Sequence, residues 1–227
     1  MVNEAVKERL GGHHSAETVM YRVDFAEIKC LQHEGRWEGT AASLAQAARK
    51  VEKGGADFVV LCTNTMHRMA DTITQAVSIP LLRIADATAE EVKARGIRNV
   101  GLLATRFTME QDFYKGRLGN RHGLEVLVPD EEERRLVHDV IYDELCLGEI
   151  KESSRQAYRR IMSQLVERGA VAVILGCTEI TMLVGQEDAS MPLFDTTRIH
   201  AEKAVEMALD ARDPGASDRH RAEPRRI

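Results

Sequence analysis

The sequence predicts an α/β protein made of two similar parallel-sheet halves related by a pseudo-twofold axis, with helices on both faces of each sheet. Three observations lead there. Short apolar runs alternate with longer segments of helical period, the pattern of strand–helix–strand units. One of those runs, Asp57 to Cys62 (DFVVLC), is apolar at consecutive positions, as a strand covered on both faces requires. A set of sequence matches then recurs in the same order in the second half of the chain.

Taken in chain order, the runs expected to form buried strands are Thr18 to Asp24, Asp57 to Cys62, Val100 to Ala104, Leu124 to Val128 and Val171 to Leu175. Helical spacing marks Ala41 to Lys53 (AASLAQAARKVEK) and Ser154 to Arg168 (SRQAYRRIMSQLVER). The acidic run Asp130 to Glu133 (DEEE) is expected to open a helix, where negative charge complements the macrodipole. The stretch Asp210 to Ile227 holds Pro, Gly and many charges without a period, and reads as a disordered tail.

The repeat sets the organisation. Gly55 to Thr63 (GADFVVLCT) lies over Gly169 to Cys177 (GAVAVILGC), 114 residues further on. Ser78 to Leu82 (SIPLL) matches Ser190 to Phe194 (SMPLF) at 112, and Lys7 to Gly11 (KERLG) matches Lys115 to Gly119 (KGRLG) at 108. Two halves are therefore expected, residues 1–95 and 96–209, with 210–227 as the tail. In the second half Ile97 to Thr105 (IRNVGLLAT) precedes the segment with Lys115. Its counterpart in the first half would fall before Met1, so the first half is expected to enter the fold one strand late.

Composition narrows the function classes. The chain has 227 residues, 44% of them hydrophobic, but no apolar run near the roughly 20 residues that span a bilayer. The segment Met1 to Leu10 is charged and lacks the apolar core of a signal peptide, so a cytoplasmic protein without a membrane partner is expected. Cys30, Cys62, Cys146 and Cys177 are widely spaced with no CxxC pair, which suggests neither a metal site nor a disulfide framework. With a formal charge of -5 and both signs interspersed, no basic stripe points to nucleic acid.

Ligands of open parallel sheets bind beyond the carboxyl ends of the strands. Two such ends are rich in polar groups: Cys62-Thr63-Asn64-Thr65-Met66-His67 and Gly176-Cys177-Thr178-Glu179. The repeat sets Thr63, not Cys62, opposite Cys177. If the halves face each other, these two side chains flank one cleft. Inverting a stereocentre by deprotonation needs an acid/base group on each face of the carbon and donors for developing negative charge. A thiol suits the base role because its pKa, about 8.5 when free, falls at a helix N-terminus. A lone strand-end cysteine is more often a packing residue. The repeated strand, the clustered hydroxyls and the preceding glycine favour chemistry at Cys177.

Five motifs, Cys62 to His67 (CTNTMH), Leu102 to Asp112 (LLATRFTMEQD), Asp143 to Gly148 (DELCLG), Gly176 to Ile180 (GCTEI) and Phe194 to Ala201 (FDTTRIHA), together resemble the aspartate/glutamate racemase family over residues 1–209. The resemblance implies two pseudo-symmetric α/β domains, an active site between them, two-base chemistry with no cofactor such as pyridoxal phosphate, a small acidic amino-acid substrate, and usually a homodimer. It assigns Cys177 as one catalytic base and Thr63 to the position of the other. Asn64, Thr65, Thr178 and Glu179 would border the substrate, Thr105 and Thr108 would contact a carboxylate, and His200 could orient the Cys177 region. GCTE, in place of GCTH, resembles the aspartate branch. Thr63 stands where most members have a second cysteine, which resembles the L-aspartate/glutamate-specific branch and implies a one-sided preference for the L-substrate. The glycine-rich GGM loop with which the family begins has no match here. Two other readings are a single-thiol decarboxylase of the arylmalonate type and a non-catalytic binder of acidic metabolites. His67 is expected as a core or capping residue, and Trp37 and Met66 as packing residues.

Overall fold

The computed structural model describes residues 1–212. In chain order the first half contains α1 (Val2–Leu10), α2 (Phe25–His33), α3 (Trp37–Lys53), β1 (Val59–Val60), α4 (Ala70–Ala76), β2 (Leu81–Leu82) and α5 (Ile84–Ala94). The second contains β3 (Asn99–Leu103), α6 (Arg106–Glu110), α7 (Lys115–His122), β4 (Glu125–Leu127), α8 (Glu131–Asp143), α9 (Glu152–Glu167), β5 (Ala172–Leu175), α10 (Ile180–Leu183), β6 (Leu193–Asp195) and α11 (Thr196–Arg212). All described strands are parallel. They form a two-stranded sheet, β1-β2, and a four-stranded sheet in the order β4-β3-β5-β6.

The larger sheet explains why its strands read as unbroken apolar runs. Every residue of β5 is at most 2% exposed, because helices cover both faces and strands flank both edges. Helix α9 buries Tyr158, Ile161, Met162 and Leu165, one face of a 3.6-residue period. It can approach β3 closely because Gly101 has no side chain; a Cβ there would lie 2.9 Å from Leu165 Cδ1. Helix α8 starts as its acidic run predicts, with the Asp130 carboxylate accepting from Glu133 N at 2.9 Å.

Two of the three sequence matches are structural equivalences. Val59 N donates to Pro80 O at 2.8 Å, and Val173 N donates to Pro192 O at 3.0 Å, so β1-β2 and β5-β6 begin their pairing in the same way. The third match is out of phase: Lys7 is in the last turn of α1, whereas Lys115 opens α7 and Gly119 is inside it. The two helices still occupy related places, since α1 packs on α11, α7 packs on α5, and α5 and α11 pack on each other. Although α5 belongs to the first half by chain position, its Ile84, Ala85, Ala89 and Val92 join the larger core.

The first half departs from expectation at Thr18 to Asp24, which forms no strand and is mostly exposed, Met20 by 86%. The physical reason is visible in the second half. There β4, at the matching place, pairs only with β3. Among the described residues no strand lies beside β1 except β2, so nothing offers Thr18 to Asp24 a ladder. A small core of Ile28, Leu44, Ala48, Met66, Met69 and Ile73, with Trp37 against it, holds this half together. Helix α11 runs three residues into the expected tail, to Arg212, and the rest of that tail lies outside the described residues.

Candidate active site

The polar ends of the two sheets meet. Thr65, just beyond β1, brings its hydroxyl within 2.9 Å of Thr105 Oγ1 and 3.2 Å of Thr108 Oγ1, and the last two are 3.3 Å apart. Thr105 is at the N-cap of α6, and all three residues are buried. Asn64 crosses to the other end of the large sheet, its Nδ2 donating to Thr196 Oγ1 at 3.1 Å. Thr196 Oγ1 itself donates to Leu175 O at 2.8 Å, so its lone pairs face Asn64. That fixes the amide with its NH₂ toward Thr196. Asn64 Oδ1, buried, is left with no hydrogen-bond partner, as is Thr197 Oγ1 nearby in sequence.

Cys177 and Thr63 occupy matching positions, each four residues beyond the valine that donates to the proline carbonyl. The Cys177 thiol donates to Glu179 Oε2 at 2.9 Å, and Thr178 Oγ1 donates to the same oxygen at 2.6 Å. This corrects the expectation of a thiol activated by a helix N-terminus. Desolvation, and then the Glu179 carboxylate, push the Cys177 pKa well above the usual thiol range. The resting sulfur is a protonated donor. Gly176 allows the strand to pass β3 here, since a Cβ on it would lie 2.9 Å from Leu102 Cδ1 and 3.1 Å from Ala104 Cβ. Cys62, just beyond β1, is exposed, with its sulfur near Val60 O at 3.7 Å.

Neither buried histidine touches the thiol. His67 Nδ1 lies 2.7 Å from Thr63 O, and its Nε2 accepts from Ile84 N at 3.1 Å. The neutral ring with its proton on Nδ1 satisfies both, and burial lowers the pKa to about 4. It therefore ties the Thr63 backbone to the start of α5. His200 Nε2 donates to Leu82 O at 3.1 Å, which fastens α11 to β2 and not to the Cys177 region. Hollows of about 440 Å³ open elsewhere, one lined by residues such as Asp130 and Arg168, the other by residues such as Arg83 and Arg117. Neither is lined by Cys177, and the second is bordered by His67 of the first strand-end loop.

The sequence carried no signal for one group of neighbours. Tyr142 of α8 is buried, and that burial pushes its pKa well up. Aromatic and histidine rings continue outward from it through His138, His33, Phe107 and Trp37. These residues come from helices of both halves, and their meeting depends on packing that periodicity does not encode.

Residues 1–204 match the model of the Asp/Glu/hydantoin racemase family, and the chain belongs to that family. It is similar to a candidate Asp/Glu racemase from Yersinia pestis, 53% identical, with a TM-score of 0.85 over 92% of this chain and 90% of that one. An aspartate racemase homologue from Pyrococcus horikoshii OT3 is 36% identical, with a TM-score of 0.78 over 91% of this chain and 89% of that one. The broad specificity amino-acid racemase RacX of Bacillus subtilis is 27% identical over 172 residues, covering 74% of this chain and 71% of RacX. Glutamate racemase from Aquifex pyrophilus shares the fold, with a TM-score of 0.62 at 16% identity.

Proposed function

We propose that this chain is a cofactor-independent racemase of aspartate or glutamate, with Cys177 on one face of the substrate α-carbon, Thr63 on the other, and the L-enantiomer favoured. One observation supports it above the rest: the strand-end loop after β1 is joined to the ends of β3 and β6 in the larger sheet by a buried polar wall of Asn64, Thr65, Thr105, Thr108 and Thr196. The three threonine hydroxyls can donate to a substrate carboxylate, and the partnerless Asn64 Oδ1 can accept from its ammonium. A polar wall of this kind suits an amino acid better than the apolar ring of an arylmalonate.

The proton path starts from the resting thiol. The Cys177 proton passes to the Glu179 carboxylate, leaving a thiolate and a carboxylic acid; Thr178 steadies the carboxylate before transfer. The thiolate takes the α-proton, and the electron pair delocalises into the substrate carboxylate held by the hydroxyls. Return of a proton from the sulfur restores the starting enantiomer. Delivery from the Thr63 hydroxyl to the opposite face inverts it and leaves an alkoxide, which is far costlier than a thiolate. Proton exchange therefore outpaces inversion.

The test is deuterium wash-in at the α-carbon of L-aspartate and L-glutamate in deuterated water, followed by NMR. Cys177→Ser abolishes it and Cys62→Ser leaves it near the unmodified rate. Loss of exchange on Cys62→Ser with Cys177→Ser silent would overturn the assignment.

A further inference from the structure

Of the two hollows, one draws its wall from both halves and carries positive charge. Arg68, Asp71 and Arg83 line it from the first half, and Asp112, Arg117 and Arg121 from the second. Its two sides are tied together, since Arg68 Nη1 donates to Gln111 Oε1 and Arg117 is paired with Asp86 of α5. Four guanidinium groups thus face two carboxylates, in a chain whose formal charge is -5. The other hollow has the opposite balance, with two arginines against three carboxylates.

The charge of this wall is largely uncancelled. Arg68 donates to a neutral amide, with its guanidinium 4.0 Å from the Trp37 ring. Arg121, in the last turn of α7, is exposed and has no carboxylate partner among the described residues. Arg83 Nη2 lies 2.5 Å from Asp71 Oδ1, but the Asp71 side chain is 84% exposed and water screens the pair. Arg117 gives Nε and Nη2 to Asp86 at 2.6 Å each, which leaves Nη1 without a hydrogen bond among the described residues. A guanidinium stays protonated and offers N–H groups in a planar fork that matches the oxygens of a phosphate. A phosphomonoester carries about -1.5 to -2 at pH 7, close to the excess of arginine over aspartate here.

The volume, about 440 Å³, is that of a site for a small organic ligand, within the roughly 300–1,000 Å³ of such pockets. Phe113 offers an aromatic face to the body of the ligand, and Asp112 and Asn120 offer partners for hydroxyl groups. We infer that this hollow binds a small sugar phosphate, its phosphate held by the arginines and its hydroxyls by Asp112 and Asn120, at a site separate from that of the amino acid. Neither Thr63, Thr65 nor Cys177 lines it. His67 does, and its Nδ1 donates to Thr63 O at 2.7 Å, so the ligand lies behind the backbone that carries Thr63. Because both halves contribute to the wall, the ligand binds the folded chain and raises its melting temperature with concentration. None of this depends on the racemase reading.

Calorimetric titration of the unmodified protein with ribose 5-phosphate, inorganic phosphate and L-aspartate tests it. Ribose 5-phosphate binds, inorganic phosphate binds more weakly, and L-aspartate does not displace either. Arg68→Gln and Arg121→Gln each weaken ribose 5-phosphate binding about tenfold, as expected for loss of a charge-assisted contact, and Arg168→Gln in the acidic hollow leaves it unchanged. Arg121 is exposed, so its replacement reads the site even if Arg68→Gln, which removes the contact with Trp37, disturbs the fold. Failure of ribose 5-phosphate to bind, or equal binding by the unmodified protein and Arg121→Gln, would overturn the assignment. Displacement of ribose 5-phosphate by L-aspartate would overturn it too, by making the hollow part of the amino-acid site.

Discussion

Lowering the pH should loosen the junction behind Thr63 through one side chain, His67. Its ring is buried and neutral, with Nε2 occupied by Ile84 N and Nδ1 by Thr63 O, so protonation forces a second N–H against a backbone donor. The pKa falls from 6.5 to about 4 on folding. A depressed pKa means that between these values the unfolded chain binds a proton that the folded chain refuses. The stability associated with neutral His67 is therefore fully present above pH 6.5 and lost as the pH falls toward 4. At about 1.4 kcal/mol for each pH unit, the loss is about 3 kcal/mol, a large fraction of the roughly 5–15 kcal/mol that holds a domain folded. The groups around the ring are Arg83, whose charge further disfavours protonation, and His200, whose ring is 5.9 Å away and whose own pKa burial also lowers. Urea unfolding from pH 7.5 to 4.5, for the unmodified chain and for His67→Gln, isolates the contribution. Gln cannot titrate, so the variant should be less stable at pH 7.5 yet lose less on acidification. Equal losses in the two proteins would refute the assignment of the acid sensitivity to His67.

Other outcomes can be read with similar assays. Thr63→Cys, which replaces a hydroxyl by a thiol of ordinary pKa about 8.5, should narrow the gap between exchange and inversion and between the two enantiomers; an unchanged ratio would separate Thr63 from proton delivery. Gly176→Ala places a methyl group 2.9 Å from Leu102 Cδ1 and 3.4 Å from Leu103 O, and should cost about 1–3 kcal/mol in unfolding free energy with a drop in exchange as Cys177 is displaced. Hydrogen exchange should be faster at the amides of β1, which has a neighbouring strand on one edge, than at those of β5, which has one on each; similar protection would show that the edge of β1 is covered in solution.

The expectations that the structure supports were local ones. Apolar runs at Val100 to Ala104 and Val171 to Leu175 could only be strands covered on both faces, because no amphipathic period is present, and they are β3 and β5. The offset repeat set Thr63 at the position of Cys177, and in the structure each lies four residues beyond a valine that donates to a proline carbonyl. Thr18 to Asp24 shows the limit of such reading. A run of strand-like composition becomes a strand only if a neighbour supplies its ladder, and composition says nothing about the neighbour. The ionisation of Cys177 was equally out of reach, because a thiol pKa is set by burial and by whichever charge lies within a few ångströms. Which atom of Asn64 is free depends on Thr196, 132 residues away, and the position of Lys29 over Tyr142 depends on how α2 seats on α8. By itself the sequence determined four of the strands, β1, β3, β4 and β5, and the repeat that relates β1 to β5. Only the tertiary structure decided how deeply the Cys177 thiol is buried and which amide oxygen of Asn64 lacks a partner, since each depends on segments far apart in the chain.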